Sequence, residues 1–497
     1  NGRNRHGDLA MLALAVAAAL SAGLLSSPHR RLTARAPAPA ARAPAEAPPF
    51  EEWAYARGIL ASKLFISDAD ALRGVLAVEP IAAGEEICVV PRPCCLDLAS
   101  AEGGGSPIAE LVPTALWSEL RWFERLGMWL LAERRRGSSS VVSGYIGYLP
   151  GPQEFADAPL AWSESELAEL RYPPLAAAIR EQAEELRRLH ARLPAEAGVT
   201  LEEVTWAQQL VLSRAFSSRI ATPEEAAAPP PPRAEPMGGA KAWLSALPLV
   251  GGMVSGQPPP PPPSAMDSME MAMMPMLDAL NHKSSATATC AFDAERNAFV
   301  LTAGAAVRKG EQVYLSYGAK SNDELLQLFG FVEENNPHET FLAIGLDEHI
   351  ASQCANLFGS QSEMERRLAL VGQLGLEEAI FAAELTAKGA PPRTMHALRV
   401  LVGSAKEVEG DLSLLSSPQS LATEERVWGV LRSYCKVARS VMGGSRKLDL
   451  KEAQTKAPRR AMALQLRAEK KRLLSELESR LQLIQTRSRK AKKVLPL

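Results

Sequence analysis

The sequence predicts an α+β fold, and three observations predict it. Short apolar runs of strand character, bounded by Gly and Pro turns, occupy the stretches around Arg73–Pro91 and Pro275–Tyr317. Beyond Leu346 the texture is helical throughout. Between the two strand-bearing stretches lie further helical runs and one low-complexity segment. At 497 residues the chain has length for more than one core.

Folded sequence is expected from near Phe50. In "RGVLAVEPIAAGEEICVVP" (73–91) two β-type runs flank the turn Ala82–Gly84, the pattern of a hairpin whose second strand includes Ile87–Val90. Trp117–Glu133 sets Leu120, Phe123, Leu126, Leu130 and Leu131 on one helical face. Ser163 with Glu166 three residues later is a capping box, in which each side chain accepts from the other residue's backbone N–H. A long amphipathic run follows to His190, and Leu201–Ser217 reads as one more helix. From Thr222 to Ser264 the chain holds Pro229–Pro232, Pro258–Pro263 and scattered Gly, with little that could pack. This is a flexible or polyproline-II insert, and it interrupts a domain because strand-like sequence resumes after it.

The helical part comprises Glu363–Leu374, Leu376–Leu385, Arg393–Val402 and Glu424–Val441. Its last segment, Pro458 to Lys493, puts Met462, Leu466, Leu473, Leu477, Leu481 and Ile484 on one stripe, with Pro458 where a helix start tolerates it. The stripe has too few clean heptads for a coiled coil, so packing on its own domain is expected.

The segment before Phe50 has another character. Leu9–Leu25 is apolar, Ala-rich and short for a membrane span, and from there to Glu46 no acidic residue occurs while Arg30, Arg31, Arg35 and Arg42 do. A signal-like run followed by a basic, acid-free stretch resembles the bipartite plastid leaders of algae with secondary plastids, covering residues 1–48. A secretory signal or signal anchor before a Pro-rich linker is the other reading, and a cytoplasmic chain the third.

Composition excludes several classes. Hydrophobic residues at 46% and charged ones at 23% are ordinary for a globular chain, and a formal charge of −2 supplies no field for nucleic acid. The six cysteines, Cys88, Cys94, Cys95, Cys290, Cys354 and Cys435, show no CxxC pair and no His at zinc-finger distance. Free thiols in a reducing compartment and no metal site are expected.

The chemistry sits in "PMLDALNH" (275–282) and "GEQVYLSYGAKSNDELLQLFGF" (310–331). An apolar run ending in Asn281–His282 places two polar side chains at the edge of a core, where an amide can both donate and accept. Alone the dipeptide is weak, and a satisfied core His is its commoner meaning. Together with "RGVLAVEPIAAGEEICVVP" and "SRAF" (213–216), in this order, the motifs resemble SET-domain protein methyltransferases of the Rubisco large-subunit lysine methyltransferase class. The likeness runs from about Phe50 to Leu481, with the Pro-rich insert outside it.

That resemblance implies a SET domain of short, mostly antiparallel strands over 49–343, split by a helical insert at about 106–217 and by the Pro-rich insert 222–264. An all-α substrate-binding domain follows over 345–497. It implies S-adenosylmethionine as cofactor and a lysine of a non-histone, plastid protein as acceptor, with Rubisco or an aldolase-like enzyme as family-suggested substrates. It implies no nucleic acid, membrane contact only through a cleavable leader, and a monomer. Tyr317 matches the active-site tyrosine; Ala71, Leu72, Arg73, Asn281 and His282 match cofactor-binding positions; Arg214, Asp278 and Phe329 match positions lining the cofactor–substrate junction. The chain departs from the family in having no tyrosine between His282 and Tyr314 and in carrying Phe329 where a tyrosine is usual. Ala71 replaces an acidic residue. These departures leave open a catalytically weak SET-derived binding module, and a branch of the family suggests histidine as acceptor.

Overall fold

The computed structural model describes residues 50–67, 73–98, 106–218, 270–358 and 360–495. The leader reading and the Pro-rich insert therefore lie outside the described residues, as do Ala71 and Leu72. In chain order the strands are β1 (Leu64–Ser67), β2 (Gly74–Ala77), β3 (Glu86–Pro91), β4 (Leu96–Asp97), β5 (Ala215–Ser218) and β6 (Glu270–Met273). They continue with β7 (Asn281–His282), β8 (Thr289–Asp293), β9 (Ala298–Thr302), β10 (Tyr314–Leu315), β11 (Phe341–Ala343) and β12 (Ala383–Leu385). They form small sheets in the orders β1-β2, β3-β9-β8, β4-β6-β5, β7-β10 and β11-β12. Every pairing is antiparallel except β7 with β10.

Two apolar clusters organise these elements. The first joins the strands to the helices Trp122–Arg136 and Leu201–Arg214 through Val75, Val90, Leu126, Leu130, Val211, Met273, Leu280 and Leu301. The second is built by Leu398, Leu401, Trp428, Leu431, Leu474 and Leu477 of the C-terminal helices. The helix Pro173–Arg192 serves both, giving Leu175 and Ile179 to the second cluster and Leu186 and Leu189 to the first. In the last helix, Pro458–Ala491, Leu466, Leu473, Leu477, Leu481 and Ile484 all join the second cluster, so the stripe packs on its own chain.

Several expectations are corrected. The runs in 73–91 are strands, and Gly84 does turn the chain at φ +81°, but they do not form a hairpin. β2 pairs with β1 and β3 with β9, because the connection between them is too long to force neighbours together. The expected helix Trp117–Glu133 is two, Thr114–Glu119 and Trp122–Arg136, with Glu124 capping the second by accepting from the Arg121 N–H at 2.8 Å. The run after Ser163 stops at Glu169 and restarts at Pro173, where a Pro suits a first turn. The helix from Leu201 ends at Arg214 and passes directly into β5. Leu376–Leu385 is a single turn of helix followed by β12, drawn into a ladder by β11.

Candidate active site

The tail of the first apolar cluster delivers the site. Met276 has φ 69°, a conformation that costs a non-glycine residue about 1–2 kcal/mol. The Asp278 N–H donates to the Met274 carbonyl at 3.0 Å, which closes this turn. Met274, Leu277 and Leu280 point into the core, and the chain then emerges as β7. β7 runs parallel to β10, pairing Asn281 with Tyr314 and His282 with Leu315. Beyond β10, Gly318 reverses the chain at φ +93°, where a side chain would be strained. Tyr317 is thereby laid on His282: its N–H donates to His282 Nδ1 at 3.0 Å and the ring centroids stand 4.9 Å apart.

A cavity of about 270 Å³ opens here. Arg73, Arg214, Asp278, Asn281, Tyr317 and Phe329 line it, with Glu154 and Asp157 also in its wall. Five segments distant in sequence thus meet. Phe329 ends a short π-helical turn, Leu325–Phe329, and its ring stands 4.8 Å from that of Tyr317. Phe331 extends the aromatic wall.

The polar groups are closely paired. Arg214 Nη1 donates to the Asp278 carbonyl at 2.7 Å and lies 3.3 Å from Asp278 Oδ2, which also accepts from the Tyr145 hydroxyl at 2.8 Å. Asp278 Oδ1 is buried with no partner. Burial pushes the Asp278 carboxyl above its usual range against the pull of Arg214. The Tyr317 hydroxyl donates to the Leu280 carbonyl at 2.7 Å, and burial pushes its pKa up to about 12. The phenol is neutral at pH 7.

Asn281 differs from its expected role in one respect. Its Nδ2 donates to the Arg73 carbonyl at 2.9 Å and to Gln312 Oε1 at 2.8 Å, so both amide hydrogens are engaged within the protein. Only Oδ1 remains to face a ligand. The fit is tight: a Cβ on Gly74 would come within 2.8 Å of Asn281 Nδ2. The Arg73 side chain is held by Tyr148, donating to its hydroxyl at 3.0 Å and stacking over its ring at 3.9 Å.

Sequence reasoning missed Tyr145, Tyr148, Gly74, Gln312 and Glu333. The tyrosines carried a signal, since two of only seven in the chain fall within "GYIGY". Gly74 and Gln312 carried none, because their role exists only where β2 approaches the residues before β10. No group of residues suited to hold a metal occurs among the described residues. Nor is any helix there long and apolar enough to cross a membrane. Cys88, Cys94, Cys95, Cys290 and Cys435 are free thiols.

This fold is that of the SET-domain proteins of the Rubisco large-subunit methyltransferase class. It superposes with a TM-score of 0.59 on a solved structure described as the SET domain of LSMT bound to lysine and AdoHcy, at 20% identity, covering 88% of this chain and 91% of the other. Residues 359–474 match the family described as Rubisco LSMT substrate-binding. Among individual proteins, the chain is 36% identical over 67 residues to SET domain-containing protein 4 of Homo sapiens, a match that spans 14% of this chain and only 15% of that relative. It is 22% identical over 490 residues to the chloroplastic [fructose-bisphosphate aldolase]-lysine N-methyltransferase of Arabidopsis thaliana, covering 92% of this chain and 87% of the relative.

Proposed function

We propose that this chain is an S-adenosylmethionine-dependent protein-lysine N-methyltransferase acting on a non-histone plastid protein. One observation carries the reading: Tyr317, Asn281, Arg214 and Asp278 converge on a single cavity that Phe329 and Phe331 also line.

The residues fit the cofactor. Arg214 and Arg73 offer cationic groups for a carboxylate, and Asn281 Oδ1 is an acceptor for an ammonium. The main chain around Ala71–Arg73 and at His282 completes the assignment. When bound, S-adenosylmethionine supplies an electrophilic methyl group on a sulfonium. The chain's own part is positioning and electrostatics. Glu154 and Asp157 in the cavity wall attract a cationic lysine side chain, which gives its proton to solvent before the neutral amine takes the methyl group, and Phe329 and Phe331 flank its hydrocarbon stem. The Tyr317 hydroxyl has its proton on Leu280, so towards the cavity it is an acceptor only. Being neutral, it orients an amine without competing as a nucleophile.

In this reading the SET part spans 49–343, with inserts at about 106–217 and 222–264, and the substrate-binding part spans 345–497. Plastid location is supported by the chloroplastic relative and by the composition of residues 1–48. Rubisco and fructose-bisphosphate aldolase are the first acceptors to test. The chain is incubated with methyl-labelled S-adenosylmethionine and a plastid extract, and labelled proteins are mapped by mass spectrometry. Label on lysine is expected. Cofactor binding without transfer would establish the binding module instead, and label on histidine would replace the acceptor.

A further inference from the structure

A continuous polar chain leads from Tyr317 to the last helix. His282 Nδ1 accepts from the Tyr317 N–H at 3.0 Å, so a neutral imidazole there carries its proton on Nε2. Nε2 lies 3.4 Å from Glu333 Oε2 and 3.4 Å from Ser284 Oγ. Glu333 in turn accepts from the Ser284 N–H at 2.9 Å and from the Ser284 hydroxyl. His282 is nearly sealed, its side chain 1% exposed, and burial holds it below its ordinary pKa, against the pull of Glu333.

Glu333 is itself clamped. Its N–H donates to Asn322 Oδ1 at 2.8 Å and its carbonyl accepts from Asn322 Nδ2 at 3.1 Å. Asn322, fully buried, also donates to Glu339, whose other oxygen accepts from Lys470 Nζ at 2.7 Å. Lys470, likewise fully buried, reaches the Thr340 carbonyl at 2.7 Å and Asp323 at 2.9 Å. Its helical neighbours repeat the grip: Glu469 accepts from the Asn335 N–H at 3.0 Å, and Arg472 donates to the Asn336 carbonyl at 3.0 Å. One turn of the last helix thus holds the whole 335–340 segment.

We propose that Glu333 is a positioning residue for Tyr317, acting through the tautomer of His282, with the Glu469–Arg472 turn of the C-terminal helix as its anchor. A carboxylate beside Nε2 can only accept, so it keeps the proton on Nε2 and leaves Nδ1 free to receive the Tyr317 N–H. That bond fixes where the Tyr317 backbone leaves β10, and with it the placement of the hydroxyl. The C-terminal domain thereby contributes to the geometry of the cavity without touching it. The catalytic consequence rests on the methyltransferase reading, while the tautomer does not.

The test separates the two. Ring ¹H–¹⁵N correlations of His282 in the wild-type chain, assigned by comparison with His282→Gln, should show the Nε2–H form. The Nδ1–H form in the wild-type chain would overturn the proposal whether or not any Glu333 variant folds. In Glu333→Gln the amide can donate to Nε2, so His282 should move toward the Nδ1–H form and the Tyr317 amide resonance should shift. With a methyl acceptor in hand, kcat should fall by about tenfold or more while KM for S-adenosylmethionine changes less than about threefold. Glu333→Asp, an acceptor only, should retain the tautomer and recover part of the rate. Unchanged tautomer and rate in Glu333→Gln would refute the role. Should the wild type transfer no methyl group to any acceptor, the methyltransferase reading fails, and the nitrogen correlations still decide the positioning claim.

Discussion

The Tyr317 hydroxyl donates to the main-chain carbonyl of Leu280 at 2.7 Å, joining the second residue past β10 to the residue before β7. The bond both braces the parallel pair and leaves the phenol oxygen as an acceptor toward the cavity. Tyr317→Phe keeps the ring and removes both functions. Methyl transfer should fall about 10- to 1000-fold, or about 1.4–4 kcal/mol of transition-state stabilisation. Folding stability should drop by only about 0.5–1.5 kcal/mol, for one hydrogen bond. Rates and calorimetry on the two proteins check this, and an undiminished rate would remove Tyr317 from the catalytic role.

Gly74→Ala should weaken cofactor binding. A Cβ there meets Asn281 Nδ2 at 2.8 Å and Gln312 at 3.0 Å, so the amide must move. A loss of about 1–3 kcal/mol in stability is expected from such overpacking, with a parallel loss of S-adenosylmethionine affinity. Unaltered affinity in calorimetry would show that Asn281 Oδ1 does not hold the ligand.

Phe329→Tyr adds a hydroxyl to the ring 4.8 Å from Tyr317. It should change the ratio of mono- to di- and trimethylated product, because a second polar group restrains how the amine rotates between turnovers. Intact-mass spectra of the acceptor measure this, and an identical product ratio would exclude Phe329 from the acceptor channel.

Acid should loosen the C-terminal domain through Glu407. Burial raises its pKa, but hydrogen bonds from the Ser404 hydroxyl, the Thr423 hydroxyl and the Ser404 N–H outweigh that and hold it at about 2. A carboxyl depressed from 4.5 in the folded state binds its proton more readily when unfolded. Its contribution is therefore present above pH 4.5 and lost as pH falls toward 2. Denaturant titrations of wild type and Glu407→Gln should converge as pH falls across that window, and a constant difference would contradict the assignment.

Excising 219–269 should be tolerated. Ser218 pairs with Glu270 in the β5–β6 ladder, so the residues on either side of the excised segment face each other, and a two-residue Asn-Gly turn can join them. Shortening a loop lowers its closure entropy. The melting temperature should stay within a few degrees and cofactor affinity should hold. A shift of many degrees would mean that the segment packs on the domain.

Local pattern determined much of this protein. The strand character of 73–91, the capping box at Ser163, the last helix with its apolar stripe, and the polar end of "PMLDALNH" all follow from side-chain spacing, which is local and survives in a linear string. The resemblance of its motifs to a known family, and not spacing alone, named Arg73, Arg214, Asp278, Asn281, Tyr317 and Phe329, which the fold brings to one cavity. Partnership was decided only in three dimensions. β2 pairs with β1, not β3, and the end of the Leu376–Leu385 run enters a ladder as β12, because hydrogen-bond partners depend on which edges are free and not on propensity. The use of Asn281's amide hydrogens, the orphaned oxygen of Asp278 and the grip of Lys470 on the loop behind His282 join residues separated by scores of positions. No spacing rule reaches that far, since such contacts exist only once the core has placed the segments side by side.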